Sequence, residues 1–425
     1  MDANLILLSL GLALTAWVLA RGLHRARRLH RPGEPAYAAV AADQSARAMG
    51  FLALLFALKV LPLLAPAMGL LRRDFLFPLL GPVAAGRWRL VAAPGAGTGP
   101  GARILLWILD RATGGRAGPV SLAVVLLSTL GLLPMLAWAR CFLPERGARA
   151  AAILWVMTPA VALYGATSMD MIFAVPLMAA GALFAMALTR EAAGARRPWL
   201  LPAGAAGLFL AMGFLFTFSA GVLAATWMAT VLLVPRQIRR HALAVLITAG
   251  AACILALVLV MTLTGLDLVA CLRMAMSLDA AEAPATLSLR YYLLTRLMGC
   301  MDLLILAGVA LSPVWLRVLW RGWAADTPAG MEPPTTRETR NDAILLALGR
   351  GMALAICLFL ALGTYKIGET GRILLFLLPL MILPAARSLL ATGRASATGL
   401  WLFSLTALWH LGQTALMEWF LDTRW

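Results

Sequence analysis

Charge is what this chain lacks. Only 13% of its 425 residues are charged, while 62% are hydrophobic and the mean hydropathy is +0.87. A soluble domain carries about 25% charged and about 45–50% apolar residues, because polar surface must cover its core. The composition therefore excludes a water-soluble fold and predicts an all-α polytopic membrane protein. Acid is scarcer than base, with 19 Asp and Glu against 36 Lys and Arg, and the only lysines are Lys59 and Lys366. Five cysteines stand without a CxxC or any metal-ligand spacing. That spacing leaves no thiolate zinc site, and all five read as isolated apolar thiols, Cys271 and Cys300 being the one pair able to share a side. No GxSxG, HExxH, Walker A or Rossmann fingerprint occurs, so none of those chemistries is signalled. A basic n-region and a small-residue cleavage pattern are also missing near the start, and 3–20 is expected to stay in the membrane as a helix.

The net charge of +17 does not point to nucleic acid. Basic residues fall in small clusters between apolar runs, which is the pattern of membrane topology signals. Twelve apolar segments are expected as transmembrane helices: 3–20, 47–66, 119–138, 150–166, 172–189, 199–214, 218–234, 243–263, 298–316, 343–362, 373–390 and 398–417. A tight turn near Phe216-Thr217-Phe218 separates the sixth from the seventh. Putting 21–46 on the cytoplasmic side places twenty arginines inside and twelve outside, seven of the twelve in one long loop, 67–118. The predicted organisation is an N-terminal helix with a basic cytoplasmic loop (1–46), a membrane core (47–235) whose first outer loop carries surface helices, and a C-terminal set of membrane helices (236–425) with outer loops at 264–297 and 363–372. Arginine-heavy, lysine-poor usage fits a GC-rich bacterial genome, hence a multi-pass inner-membrane protein whose outer side is periplasmic.

Chemistry is expected on that outer side. Asp74 follows Arg72-Arg73 at the start of the long loop, and an amphipathic run at 103–109 fits a helix lying on the membrane surface. Arginines around a carboxylate suit a phosphate-bearing ligand, since guanidinium clamps phosphate oxygens bidentately; lipid headgroups are the plainer alternative. Asp170 begins the fifth span after a Ser/Thr turn. It reads either as a helix cap or as a carboxylate that joins Asp74, with a divalent metal ion between them. The stretch Thr364-Tyr365-Lys366-Ile367-Gly368-Glu369-Thr370-Gly371-Arg372 gathers a lysine, a glutamate, an arginine and a tyrosine. Lys366 and Arg372 would grip phosphate with Glu369 and Tyr365 in support, or a Glu369–Arg372 pair would cap the next helix. Arg290 and Tyr291 sit in another outer segment as headgroup or substrate contacts. Lys59 is an intramembrane charge with Asp302 as a candidate partner, and His410 with Gln413 reads as a polar patch between helices.

One arrangement resembles a known family. An amphipathic helix is followed by Gly114-Gly115-Arg116, a span, the turn Phe142-Leu143-Pro144-Glu145-Arg146, another span, then Thr158-Pro159 leading to Tyr164 and Asp170. This resembles the membrane-embedded GT-C glycosyltransferases that use polyprenyl-phosphate-linked sugars, with the protein O-mannosyltransferase and aminoarabinose transferase branches as nearest analogues. Gly368-Glu369-Thr370-Gly371-Arg372 running to Pro379 is similar to the Gly-Glu-x-x-Arg stretch of some bacterial members. The resemblance covers 47–235 and, more weakly, 363–385. It departs from the family in lacking a second acid beside Asp74 and a His-Pro-Pro-type stretch, and 3–20 would be an added helix. It implies inverting transfer of a sugar to a lipid, glycan or protein hydroxyl. Asp74 would be the general base, Arg72, Arg73, Lys366 and Arg372 would bind the donor phosphate, and Asp170 would hold metal or substrate. The alternative class is a multi-pass transporter or lipid flippase, whose polar residues would gather near the bilayer midplane in two matching halves.

Overall fold

A computed structural model describes residues 100–113, 123–190 apart from 125, 198–281, 288–322, 336–362, 370–391 and 397–420. Among these residues the chain is almost wholly helical and holds no strand. The helices are α1 (Pro100–Thr113), α2 (Leu132–Phe142), α3 (Glu145–Met157), α4 (Pro159–Thr167), α5 (Asp170–Thr189), α6 (Leu200–Phe216), α7 (Ala220–Leu233), α8 (Arg236–Thr264), α9 (Leu268–Ala281), α10 (Leu289–Ala307), α11 (Leu311–Arg321), α12 (Arg337–Leu362), α13 (Thr370–Ile373), α14 (Leu378–Ala391) and α15 (Ala397–Phe420). The first two expected spans and residues 67–99 of the long outer loop, Asp74 among them, lie outside the described residues.

Three helices, α5, α8 and α12, are long and apolar enough to cross a membrane, and two bent pairs, α3–α4 and α10–α11, raise the number to five if each is one span. The outward face of α8 shows what surrounds the bundle. Ile247, Ile254, Leu255, Leu259 and Leu263 are exposed there, whereas its buried face carries Ile238, Ala242, Val245, Ala249 and Cys253. A helix greasier outside than inside is stable only in an apolar solvent, so the protein is membrane-associated. The buried faces are knitted by small residues and large aromatics. Gly207 of α6 lies so close to α8 that a Cβ would stand 2.0 Å from the Ala249 carbonyl oxygen. Close backbone approach of this kind supplies the dispersion contacts that hold helices together where the hydrophobic effect is absent. Trp138, Trp155 and Trp227 fill the centre, with Phe184 stacked on Trp227 at 4.2 Å between ring centroids.

Several expected boundaries appear as drawn. The chain turns at Thr217–Ser219 between α6 and α7, and the run at 103–109 lies inside the amphipathic helix α1. The five cysteines are free. The 150–166 segment forms as α3 and α4 with a 57° bend, because Pro159 has no N–H to continue the ladder at Thr158. Two expectations are corrected. The segment 298–316 is not one straight helix: α10 ends at Ala307, Gly308 takes φ +113°, and α11 leaves at 113° to it. The break is braced rather than frayed. Gln413 of α15 accepts from Val309 N–H (2.9 Å) and donates to the Ile305 carbonyl (2.7 Å), while Ser312 Oγ donates to the Leu304 carbonyl (2.7 Å). Residues 264–297 are likewise not a plain loop: they contain α9 and the first two turns of α10. Gly265 at φ +67° ends α8 in the left-handed region that glycine tolerates best, and the Asp267 carboxylate accepts from Ala270 N–H to start α9 afresh.

One end of the bundle collects most of the arginines described. Glu145 at the start of α3 takes both Arg140 and Arg149, and Arg387 of α14 bridges Glu338 and Asp342 of α12. Others donate to backbone carbonyls: Arg340 to Leu188 and Arg239 to Leu232 at helix C-termini, and Arg190 to Pro198 in the turn before α6. Cations at helix C-termini satisfy orphan carbonyls and complement the helix dipole.

Candidate functional site

At the other end three separate elements converge. The turn between α4 and α5 holds Ser168 and Asp170 against each other. Asp170 N–H donates to Ser168 Oγ (3.1 Å), and the serine hydroxyl donates to Asp170 Oδ2 (2.5 Å). Asp170 is the first residue of α5 and not its cap; Met169 occupies the cap position and makes no side-chain cap bond. The capping alternative for Asp170 is therefore corrected. Its carboxylate faces a cation instead, with Arg372 Nε 3.1 Å from Oδ2 and both side chains about one-quarter exposed. A partly desolvated pair of this kind holds its geometry because each charge would be left costly without the other.

Arg372 arrives on a short element that α10 grips. Asp302 Oδ2 accepts from Gly371 N–H at 2.7 Å. Thr370 is buried against Gly299, where a Cβ would lie 2.9 Å from its Oγ1, and a Cβ on Gly371 would lie 2.3 Å from Leu306 Cδ1. Two glycines thus let α13 and α10 interlock, and a charge-assisted hydrogen bond sets the register. Ser219, in the α6–α7 turn, reaches the Ile373 carbonyl at 3.5 Å. One to two turns from Gly299 on α10, Tyr292 donates to the Ala361 carbonyl near the end of α12 (2.8 Å), and the Arg296 guanidinium stands 4.5 Å from the Tyr292 ring centroid. Helix α1 covers the flank: Ala102 and Leu109 pack with Ile172 and Phe173 of α5, and Phe173 stacks on Phe216 at 5.4 Å.

Of the residues expected at the site, the structure brings Asp170 and Arg372 together. Arg290 is exposed in the first turn of α10, and Tyr291 beside it is half-buried and donates its N–H to Ser288 Oγ (3.1 Å). No contact joins either of them to the Asp170–Arg372 pair. Asp74, Arg72, Arg73, Tyr365, Lys366 and Glu369 lie outside the described residues, as does Lys59. Among the described residues no three His, Cys, Asp or Glu side chains are grouped as metal ligands. His410 and Gln413 sit between helices as expected: His410 is fully buried against Gly308, and Gln413 braces the break.

Sequence reasoning missed Asp302 and Arg296 as parts of this end. The signal for Asp302 was present, since a carboxylate inside an apolar run is a functional suspect. The sequence offers it as a partner for Lys59, whereas in the structure it accepts from the backbone N–H of Gly371, which no residue type announces. Chemically, the arrangement offers a fixed guanidinium beside a carboxylate at the end of an apolar bundle, and α10, which grips the element carrying that guanidinium, holds a second cation, Arg296, on an aromatic ring. This suits an anionic group approaching from one end. No family model, curated protein or solved structure matches the chain.

Proposed function

We propose that the protein is a membrane-embedded, GT-C-type glycosyltransferase. It moves a sugar from a polyprenyl-phosphate donor to an acceptor hydroxyl at the Asp170 end of the bundle, which faces the periplasm across the bacterial inner membrane. The observation that carries this reading is the Arg372–Asp170 pair: two residues singled out on separate outer segments meet, with Arg372 set by the Asp302–Gly371 bond. In the proposed reaction the acceptor oxygen attacks the anomeric carbon as the bond to the phosphate oxygen breaks, inverting that centre. The hydroxyl proton passes to Asp74, and the electron pair leaves with polyprenyl phosphate. Negative charge grows on the phosphate, so cations that bind it lower the barrier; Arg372 is one, and Lys366, Arg72 and Arg73 are assigned the same role. Glu369, Tyr365, Arg290 and Tyr291 support the donor. Asp170, engaged with a guanidinium and a hydroxyl, acts as a positioning residue for Arg372. No step requires the divalent cation that its carboxylate suggested.

The test is transfer from polyprenyl-phosphate-linked mannose or aminoarabinose in membranes containing the full chain. Asp74→Asn abolishes transfer in this account, while the donor still binds. Full transfer by Asp74→Asn ends the base assignment, and absence of donor binding by the wild type ends the glycosyltransferase reading. One observation favours the second reading, a transporter or lipid flippase: the braced break between α10 and α11 beside the buried His410, since discontinuous helices form substrate sites in transporters. Substrate counterflow in proteoliposomes without any chemical product would favour it.

A further inference from the structure

Helix α9 has little in the bundle to hold it. Of its described side chains only Leu268 is buried, Cys271, Met274 and Ala275 are half-buried, and the rest are exposed. Val269 (50% exposed), Leu272 (39%) and Met276 (63%) stand at i, i+3 and i+7, which puts them along one stripe of the helix. Arg273 follows the edge of that stripe with Ser277 beyond it, and Arg290 lies exposed just past the connection to α10. Neither arginine has an ion-pair partner among the described residues. Left in water, such a ridge would be an aggregation hazard; its surroundings say otherwise.

Both flanking helices come to the same end of the bundle. Helix α8 arrives with Leu259 and Leu263 exposed, and α10 departs with Leu289, Leu293 and Leu294 exposed. Tyr292 of α10 is tied to Ala361, one residue before the end of the membrane-length helix α12, which fixes α10's first turns at the level where α12 ends. The chain thus enters and leaves α9 along helices whose exposed side chains are apolar, at the end of the bundle where α12 stops. The hinge at Gly265 and the Asp267 cap turn the chain out of α8 and restart it as a separate helix.

We infer that α9 is an in-plane membrane helix, with the Val269–Leu272–Met276 ridge seated at the acyl boundary of the bilayer and Arg273 at the lipid phosphates. A short helix with an apolar ridge and flanking cations binds a bilayer through buried apolar area plus attraction to headgroups. Arginine also reaches phosphate while its stem stays over the apolar layer. This inference does not depend on the catalytic reading, because no residue of α9 has a role in the proposed reaction.

Spin labels at positions 269, 272, 276 and 277, placed singly in a full chain whose five native cysteines are replaced, test it in phosphatidylethanolamine/phosphatidylglycerol vesicles. Collision with oxygen should exceed collision with a water-soluble nickel chelate several-fold at 269, 272 and 276, and the preference should reverse at 277. Equal nickel access at all four positions would put α9 in water and overturn the proposal. Low access to both reagents along the ridge would mean that protein covers it, either a second copy or another segment of this chain, and would also overturn it. Should the cysteine-free chain fail to fold, a diazirine phospholipid applied to the wild type in the same vesicles gives the answer. Labelled peptides spanning 268–277 support the inference, and their absence alongside labelled α8 contradicts it.

Discussion

The two ends of the bundle spend their charges differently. At the Arg387 end, arginines satisfy backbone carbonyls at helix termini or share carboxylates in small clusters: Arg140 and Arg149 on Glu145, Arg387 on Glu338 and Asp342. At the Asp170 end three of the described charges act in series. Asp302 holds the backbone of Gly371, that backbone carries Arg372, and Arg372 meets Asp170. The first pattern fastens helices; the second delivers one side chain to one place. The difference teaches that location within a membrane protein does not give a charge its role, whereas the kind of partner it is given does. An arginine on a terminal carbonyl closes a helix. An arginine brought by a gripped four-residue element to a carboxylate on another helix is a built site.

Substitutions separate the two patterns. Arg372→Ala should lower transfer about 100- to 1000-fold, the effect of removing one preorganised charge contact to a developing anion. Its thermal stability in detergent should change little. Comparable transfer by the variant would make the pair a fastener like those at the other end. Arg387→Ala should do the converse, destabilising the fold by about 1–3 kcal/mol because Asp342 is left without its cation, with the remaining activity per folded molecule unchanged. Denaturation midpoints and transfer rates measured on the same preparations decide both cases. Arg239→Ala should be the mildest: it loses a donor to the Leu232 carbonyl at the exposed end of α7, a change of about 0.5 kcal/mol or less.

Much of this architecture was legible in the sequence because charge is so scarce. Apolar runs mark helices, and Asp170 and Arg372 stand out since an isolated charge bordering such a run has few uses. Their meeting was not legible, because it depends on Gly299 and Gly371 letting α13 and α10 interlock, and a glycine carries no mark of the partner it lets approach. The break at Gly308 was hidden for a related reason. Hydropathy runs on from Leu303 through Val314, so a window of composition sees one span where a positive-φ glycine and the distant Gln413 make two helices. Helix α9 was lost inside an expected loop because its apolar run is short, and its start is set by the side-chain cap from Asp267 that composition does not weigh.

The central claim is that Asp170 and Arg372 act as one unit on a lipid-linked phosphate. A double-mutant cycle of Asp170→Asn and Arg372→Gln, read as binding of polyprenyl phosphate to the full chain in nanodiscs, tests it most directly. The account predicts strong coupling: Arg372→Gln weakens binding, Asp170→Asn weakens it by misplacing Arg372, and the double variant is hardly worse than Arg372→Gln alone, with an interaction energy of about 0.5–3 kcal/mol. Additive losses, or polyprenyl phosphate binding indifferent to both substitutions, would contradict it.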